Sequence, residues 1–337
     1  MPKANKSNLM LDRSTSHGGW PSGPSRGWSG DKHVSDIIYD YLMDMGLIEE
    51  SLLRRTIQEI ILGTYKNNLM NECIVVAGQT GNQHVLSKTR DRNYRPIIKI
   101  VRELTPDNTE LVYMVDSKTG FLEGMNSHGV GILNSTLMVY EDENPEQAGT
   151  QSSYGEIIKK ALEEKTSESA LKIINGKAPG VEGHTFVGCP KDLYSIECTS
   201  SHPAVVEKLD PTTGWDVRTN HGHTYSDAGY NKEYKPIDYE SSVIRKSTAE
   251  KCLSGIDDYS NVARAMLSRK HSIDSNNNTL RRTGNLRTTS QVTMNLPKKE
   301  FLFYLFPGEC IYKGVVDKTP SGYQPRIKIR TFKWKEG

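Results

Sequence analysis

"CIVVAGQTGNQHVLSKTRD", Cys73–Asp91, opens where the hydrophobic period of the chain changes. Before it, Val34, Ile37, Ile38, Tyr41, Leu42 and Met45 recur at helical spacing and stop at Gly46, and Leu53, Ile57, Ile60 and Ile61 form a second stripe that stops near Gly63. A helical hairpin is expected there. Residues 1–33, rich in Ser, Gly, Lys and Pro with almost no periodic apolar content, are expected to be disordered. From Cys73 onward the apolar residues gather in short β-rich runs between Gly, Asn and Asp turns: "CIVVAG", "RPIIKIVREL", "ELVYMVD" and "GVGILNSTLMV". A helical pair follows from Tyr154 to Ile174, broken near Thr166 and Ser167, then strands in "HTFVGCP", "LYSIECTS" and "AVVEKLD". Helices are expected around Ser242–Leu253 and Asp258–Arg269, a loop over 268–289, and closing strands in "SQVTMNL", "EFLFYLF", "CIYKGVV" and "RIKIRTFKW". Strands grouped around a central helical pair predict a layered α+β domain with sheets packed on each other and helices outside.

Composition narrows the function classes. With 337 residues, 35% hydrophobic and 25% charged, the chain is long enough for one large domain or two ordinary ones. Its longest apolar runs, such as Phe301–Phe306, fall far short of a bilayer span, and no apolar block follows the early lysines, so neither a membrane span nor a secretory signal is expected. The five cysteines show no CxxC spacing, which argues against a disulfide framework or zinc knuckle and for a reducing, cytoplasmic compartment. A net charge of +2 gives no nucleic-acid footprint. The basic tail Arg326–Lys335, with Phe332 and Trp334, reads as a last strand with a solvated face. His221 and His223 in "NHGHT" lack a carboxylate or Cys at metal-ligand spacing and read as a loop. "AGQTGN" and "GVEGHT" are too Gly-poor for a phosphate loop, and GxSxG is absent, so no metal or cofactor is expected.

A lone Cys before an apolar run is ordinarily a buried small hydrophobe. Its company changes that reading. "CIVVAGQTGNQHVLSKTRD", "EGMNSHGVGILNSTL", "YGEIIKKALEEKTSESALKIING", "LYSIECTSSHPAVVEKLD", "RTNHG", "SSVIRK" and "TTSQVTMNLPKKEFLFYLFPGEC" occur in that order. Together they resemble the cysteine-type N-terminal-nucleophile (Ntn) hydrolases, in particular choloylglycine hydrolases and acyl-CoA:6-aminopenicillanic-acid acyltransferases (peptidase C45-like), with acid ceramidase more distant. The resemblance spans Cys73 to about Val315. It implies a four-layer αββα sandwich over 73–337, preceded by a helical propeptide or small subunit over 34–72. It also implies an opening hairpin in the first block and a Gly-Met-Asn turn in the second.

The implied activity is cleavage of a linear, non-peptide-backbone amide, or transfer of its acyl group, through a Cys73 thioester. A thiol reacts as thiolate and needs a base. Cutting between Glu72 and Cys73 would free an α-amine with a reference pKa of about 7.7–8.0, able to serve as that base. The resemblance gives Asp91 the role of orienting amine and thiol, Asn134 and Asn220 that of oxyanion donors, and Arg245 that of holding carboxylates or the Cys. The usual Arg-x-x-Asp is here Lys88-Thr89-Arg90-Asp91, so Lys88 or Arg90 supplies the positive charge. Without the resemblance, Asp91 reads as a turn residue and Asn134 as a strand-end cap.

The prefix implies an inactive precursor whose cleaved segment stays docked as a small subunit. "LMNE" before Cys73 also resembles a site for the prohead proteases of tailed phages, which would make this a virion-associated protein processed in trans. Expected partners are a small amide or acyl substrate, with a homo-oligomer left open. The alternative is a catalytically silent or maturation-only Ntn fold serving as a binding or virion-structural component.

Overall fold

The computed structural model describes residues 71–137, 151–175, 181–199, 202–232, 236–267, 280–283 and 286–334. The chain divides into two units at Lys66/Asn67, and all of these residues belong to the second. Residues 1–33, the helical hairpin expected between Val34 and Tyr65 and most of the loop expected over 268–289 lie outside them.

The opening stretch is a hairpin. Strand β1 (Asn71–Thr80) pairs antiparallel with β2 (Gln83–Arg92) in a register that sets Cys73 opposite Arg90 and Glu72 opposite Asp91. Thr80 faces Gln83 across a two-residue turn whose first position, Gly81, has φ +57, the conformation a II′ turn requires of that position. The remaining strands are β3 (Ile97–Leu104), β4 (Glu110–Asp116), β5 (Leu122–Asn126), β6 (Gly131–Ser135), β7 (Gly183–Gly188), β8 (Leu193–Cys198), β9 (Val205–Leu209), β10 (Asp216–Arg218), β11 (Arg287–Asn295), β12 (Glu300–Leu305), β13 (Ile311–Asp317) and β14 (Lys328–Lys333). Helices α1 (Gln151–Leu162) and α2 (Ser167–Asn175) form the central pair, and α3 (Pro236–Leu253) and α4 (Tyr259–Met266) follow β10. One sheet has the order β10-β1-β2-β11-β12-β14, the other β13-β3-β4-β5-β6-β7-β8-β9.

Side-chain alternation turns these sheets into layers, because odd and even residues of a strand face opposite sides. Val75, Ala77 and Leu86 of the first sheet meet Ile98, Ile100, Met125, Leu133 and Phe186 of the second in a common core. The next residues along, Ile74, Val76 and Val85, pack against Ala249, Leu253, Val262 and Met266 of α3 and α4. Ile132, Val187 and Ile196 do the same against Ile158, Ala161, Leu162, Ala170 and Ile174 of α1 and α2. The order is therefore helices, sheet, sheet, helices: the α+β, four-layer αββα arrangement that the resemblance implied.

Local details differ from expectation. Leu122–Asn126 is strand, and the chain turns after it at Ser127–Gly129, so Gly124-Met125-Asn126 is not the turn itself. Asn126 holds that turn, its Oδ1 accepting from the His128 and Val130 N–H groups while its Nδ2 donates to Leu162 O and Glu164 O at the end of α1. Helix α3 begins at Pro236, six residues before the expected Ser242, with Pro in the first turn where its missing N–H costs nothing. The three residues of β10 were too few to give a period-2 signal.

Candidate active site

Strand alternation decides what surrounds Cys73. Its side chain shares the inter-sheet face of β1 and β2 with Lys88, Arg90 and Arg92, which stand at every second position of β2. All four are buried. Arg92 Nη1 lies 3.7 Å from Cys73 Sγ, 3.3 Å from the carbonyl oxygen of Glu72 and 2.7 Å from that of Asp91. Lys88 Nζ and Arg90 Nη2 reach one carboxylate on the facing sheet, Glu123 of β5, at 2.6 and 3.0 Å, and both stand over the Phe121 ring. Complete burial pushes the Lys88 ammonium below the usual lysine range, against the pull of Cys73 and Glu123. Burial opposes ionisation of Glu123 as well, but Arg90 and Lys88 outweigh it and hold its carboxyl below the usual range. Lys88 and Arg90, given as alternative sources of charge, thus both stand on the thiol's side of the sheet.

Glu72 and Asp91 face the opposite way, toward α3. Asp91 accepts a 2.6 Å hydrogen bond from Thr288 Oγ1 and lies 3.7 Å from Arg245 Nη1 and 3.9 Å from Arg282 Nε. Burial pushes its carboxyl up, against the pull of Arg282 and Arg245. In the intact chain Asp91 therefore touches the guanidiniums rather than the thiol. Glu72 is enclosed more completely: Tyr230 Oη donates to its Oε1 at 2.8 Å, while Arg245 Nη2 and Arg282 Nη1 lie 2.5 and 2.7 Å from its Oε2.

Asn220 connects the two sides. Its Oδ1 accepts from the backbone N–H of Cys73 at 3.2 Å and from Arg245 Nη2 at 3.2 Å, while its Nδ2 donates to Thr136 O at 2.9 Å. Donors at one atom and an acceptor at the other fix which way the amide points. The Glu72–Cys73 peptide group is thus held at both ends, its carbonyl by Arg92 and its N–H by Asn220. Asn134 is not brought to this group. It shares the face of Ile132, which packs on α1, and its Nδ2 donates to Glu182 O and Thr185 Oγ1 at 3.0 and 2.8 Å.

The segment carrying Asn220 is anchored by the buried His184, by Glu197 and by its own half-buried His221. His184 Nε2 lies 2.9 Å from His221 O, and Glu197 accepts from the N–H groups of His223, Thr224 and Tyr225. His221 Nδ1 lies 2.9 Å from Ser242 Oγ, and Ser242 Oγ accepts from the Asn220 N–H. The HxH pair serves this loop, and among the described residues no group of three or more His, Cys, Asp or Glu side chains converges to hold a metal ion. Burial pushes both His184 and His221 down to about 4, from a usual value of 6.5. The unfolded chain binds these protons near pH 6.5 and the folded chain only near pH 4, so stability present at neutral pH is lost as pH falls through that window. For His184 the full loss is about 3 kcal/mol. The melting temperature of a Cys73→Ala chain is expected to fall between pH 7 and pH 4.5, less steeply in His184→Gln. Equal slopes for both chains would contradict this.

Arg92, Arg282, Tyr230 and Glu123 were not singled out from sequence, nor was Glu72 as more than a cleavage position. Period-2 spacing of Lys88, Arg90 and Arg92 was the one available signal; nothing local marks the others. Among the described residues no helix is long and apolar enough to cross a membrane. No family model matches the chain, and no curated protein matches it. Among solved structures, penicillin V acylase from Agrobacterium tumefaciens is similar at 12% identity and a TM-score of 0.39, over 69% of this chain and 86% of that one.

Proposed function

We propose that the chain is a self-processing cysteine Ntn hydrolase. It cuts its own Glu72–Cys73 bond and then cleaves a linear, non-peptide-backbone amide, or transfers its acyl group, through a thioester on Cys73. The observation that carries this reading is the bond itself: a buried thiol stands beside a peptide group whose oxygen is held by Arg92 and whose N–H is held by Asn220.

In the first step Cys73 Sγ attacks the Glu72 carbonyl carbon. Arg92 Nη1, already at that oxygen, takes up the developing negative charge, and Asn220 keeps the departing nitrogen in place. The C–N bond breaks, the proton released by the thiol passes to the Cys73 nitrogen, and Glu72 is left as a thioester on Sγ. Water hydrolyses it, releasing the Glu72 carboxylate and freeing thiol and α-amine. In later turnovers the amine takes the thiol proton, the thiolate attacks the substrate carbonyl, the protonated amine gives its proton to the leaving group, and water or a second amine takes the acyl group. Asp91, engaged by Thr288, Arg245 and Arg282, acts through those arginines as a positioning residue. Asn134, bound to Glu182 and Thr185, is assigned no direct part in the cut.

Cleavage in cis fits the burial of Glu72, which is 2% exposed and beyond the reach of a protease acting on the folded chain. Arg92→Met is expected to slow the cut about 10²-fold, followed by intact mass over time. An unchanged rate would remove Arg92 from the step. Residues 34–72 then constitute the propeptide or small subunit and 73–337 the catalytic domain.

A second reading keeps the fold without turnover, as a binding or virion-structural protein. It is favoured by the cluster around Glu72, which would serve an uncut chain as a permanent ion-pair lock. The separating experiment offers cut protein a panel of linear amides and follows amine release with and without hydroxylamine as acyl acceptor. Release that is absent in Cys73→Ala supports the amidase, and hydroxamate formation separates transfer from hydrolysis. A chain that is cut but turns over none of the panel is maturation-only.

A further inference from the structure

In the self-cleavage step Glu72 is the acyl group, so the intact chain displays what the site holds when an acyl group stands next to Cys73. The Glu72 side chain lies in a built enclosure. Tyr230 donates to one carboxylate oxygen and the guanidiniums of Arg245 and Arg282 hold the other, every one of these groups being buried. We infer that this enclosure is the acyl-side subsite of the matured enzyme. It selects substrates whose acyl group carries a carboxylate at the position of the Glu72 side-chain carboxylate, as glutaryl and N-substituted α-glutamyl amides do. The inference rests on the proposed function and specifies its substrate class.

Charge and geometry support it together. Once Glu72 departs, the two guanidiniums lose the carboxylate that stands 2.5 and 2.7 Å from them, and Asp91 lies farther off, at 3.7 and 3.9 Å. Buried cations without a matching anion are strongly unfavourable, so an apolar acyl group is a poor replacement for the carboxylate. Arg245 Nε and Nη1 are buried without a hydrogen-bond partner, which leaves donors for an incoming anion. The enclosure is also separate from Lys88, Arg90 and Arg92 on the other face of the sheet, so selection and thiol chemistry use different cations.

The number of carbons sets the match. From the Glu72 carbonyl carbon to its side-chain carboxylate the chain is that of a five-carbon diacid, which makes glutaryl p-nitroanilide the simplest probe and pentanoyl p-nitroanilide its counterpart without the carboxylate. Cut wild-type protein is expected to prefer the glutaryl anilide by at least about 100-fold in kcat/KM, because a site built to bind a polar group rejects the analogue lacking it. Arg282→Gln is expected to bring that ratio below about 10, with Arg282→Lys restoring part of it. Glutarate, but not pentanoate, is expected to slow alkylation of Cys73 by iodoacetamide in the cut protein, a readout that needs no turnover. Equal rates on the two anilides, or equal effects of the two acids on alkylation, would overturn the subsite while leaving the amidase standing. A wild-type chain that stays whole would overturn both, since Glu72 then never leaves the enclosure.

Discussion

Asn220→Ala is expected to lower both the rate of the Glu72–Cys73 cut and the later turnover by about 10²-fold, the usual consequence of misplacing a reacting atom, here the Cys73 nitrogen that Asn220 holds. Two contacts of one side chain are at stake. Oδ1 accepts from the Cys73 N–H, the nitrogen that becomes the α-amine, and Nδ2 donates to Thr136 O, which fixes the direction in which the amide points. The substitution also removes an acceptor from Arg245 Nη2, so melting temperature should be measured beside the rates. Loss of rate with little change in melting temperature supports the assignment. Loss of both in proportion would mean that Asn220 holds the fold and not the reaction.

Glu72→Gln in the uncut Cys73→Ala background is expected to destabilise the fold by about 3–5 kcal/mol, the cost of removing one partner from a buried charge cluster. Arg245 and Arg282 are buried at 2.5 and 2.7 Å from the carboxylate that this change neutralises. Burial already pushes the Arg245 guanidinium below its usual range, aided by Arg282 and opposed by Glu72 and Asp91. Removing Glu72 takes away the closer of those two anions. Denaturant unfolding of the double and single variants gives the difference directly, and a value below about 1 kcal/mol would mean that Asp91 alone compensates both arginines.

The same charges explain what sequence could and could not reveal. Val75, Ala77 and Leu86 against Ile74, Val76 and Val85 give the two-faced strand pattern that layered sheets require, and the helical pair read from Tyr154 to Ile174 is present, starting three residues earlier at Gln151 and broken before Ser167. The motif resemblance nominated Cys73, Asp91, Asn220 and Arg245, and the fold brings their surroundings together over sequence separations of up to 197 residues. What stayed hidden is convergence. Glu72, Tyr230 and Arg282 are ordinary residues until β1, the segment after Asn220 and the one before β11 meet around a single carboxylate. Asn134 shows the converse limit: a residue can occupy a recognisable motif while alternation turns it to the far face of its sheet, beside Ile132.

The proposed function depends on Cys73 cutting the bond before it and becoming the first residue of the working enzyme. Its most direct test is the intact mass and N-terminal sequence of purified wild-type protein beside Cys73→Ala, each expressed alone. A wild-type chain that begins at Cys73 and a variant that remains whole are the expected result. Both chains whole, or both cut at the same rate, would contradict it.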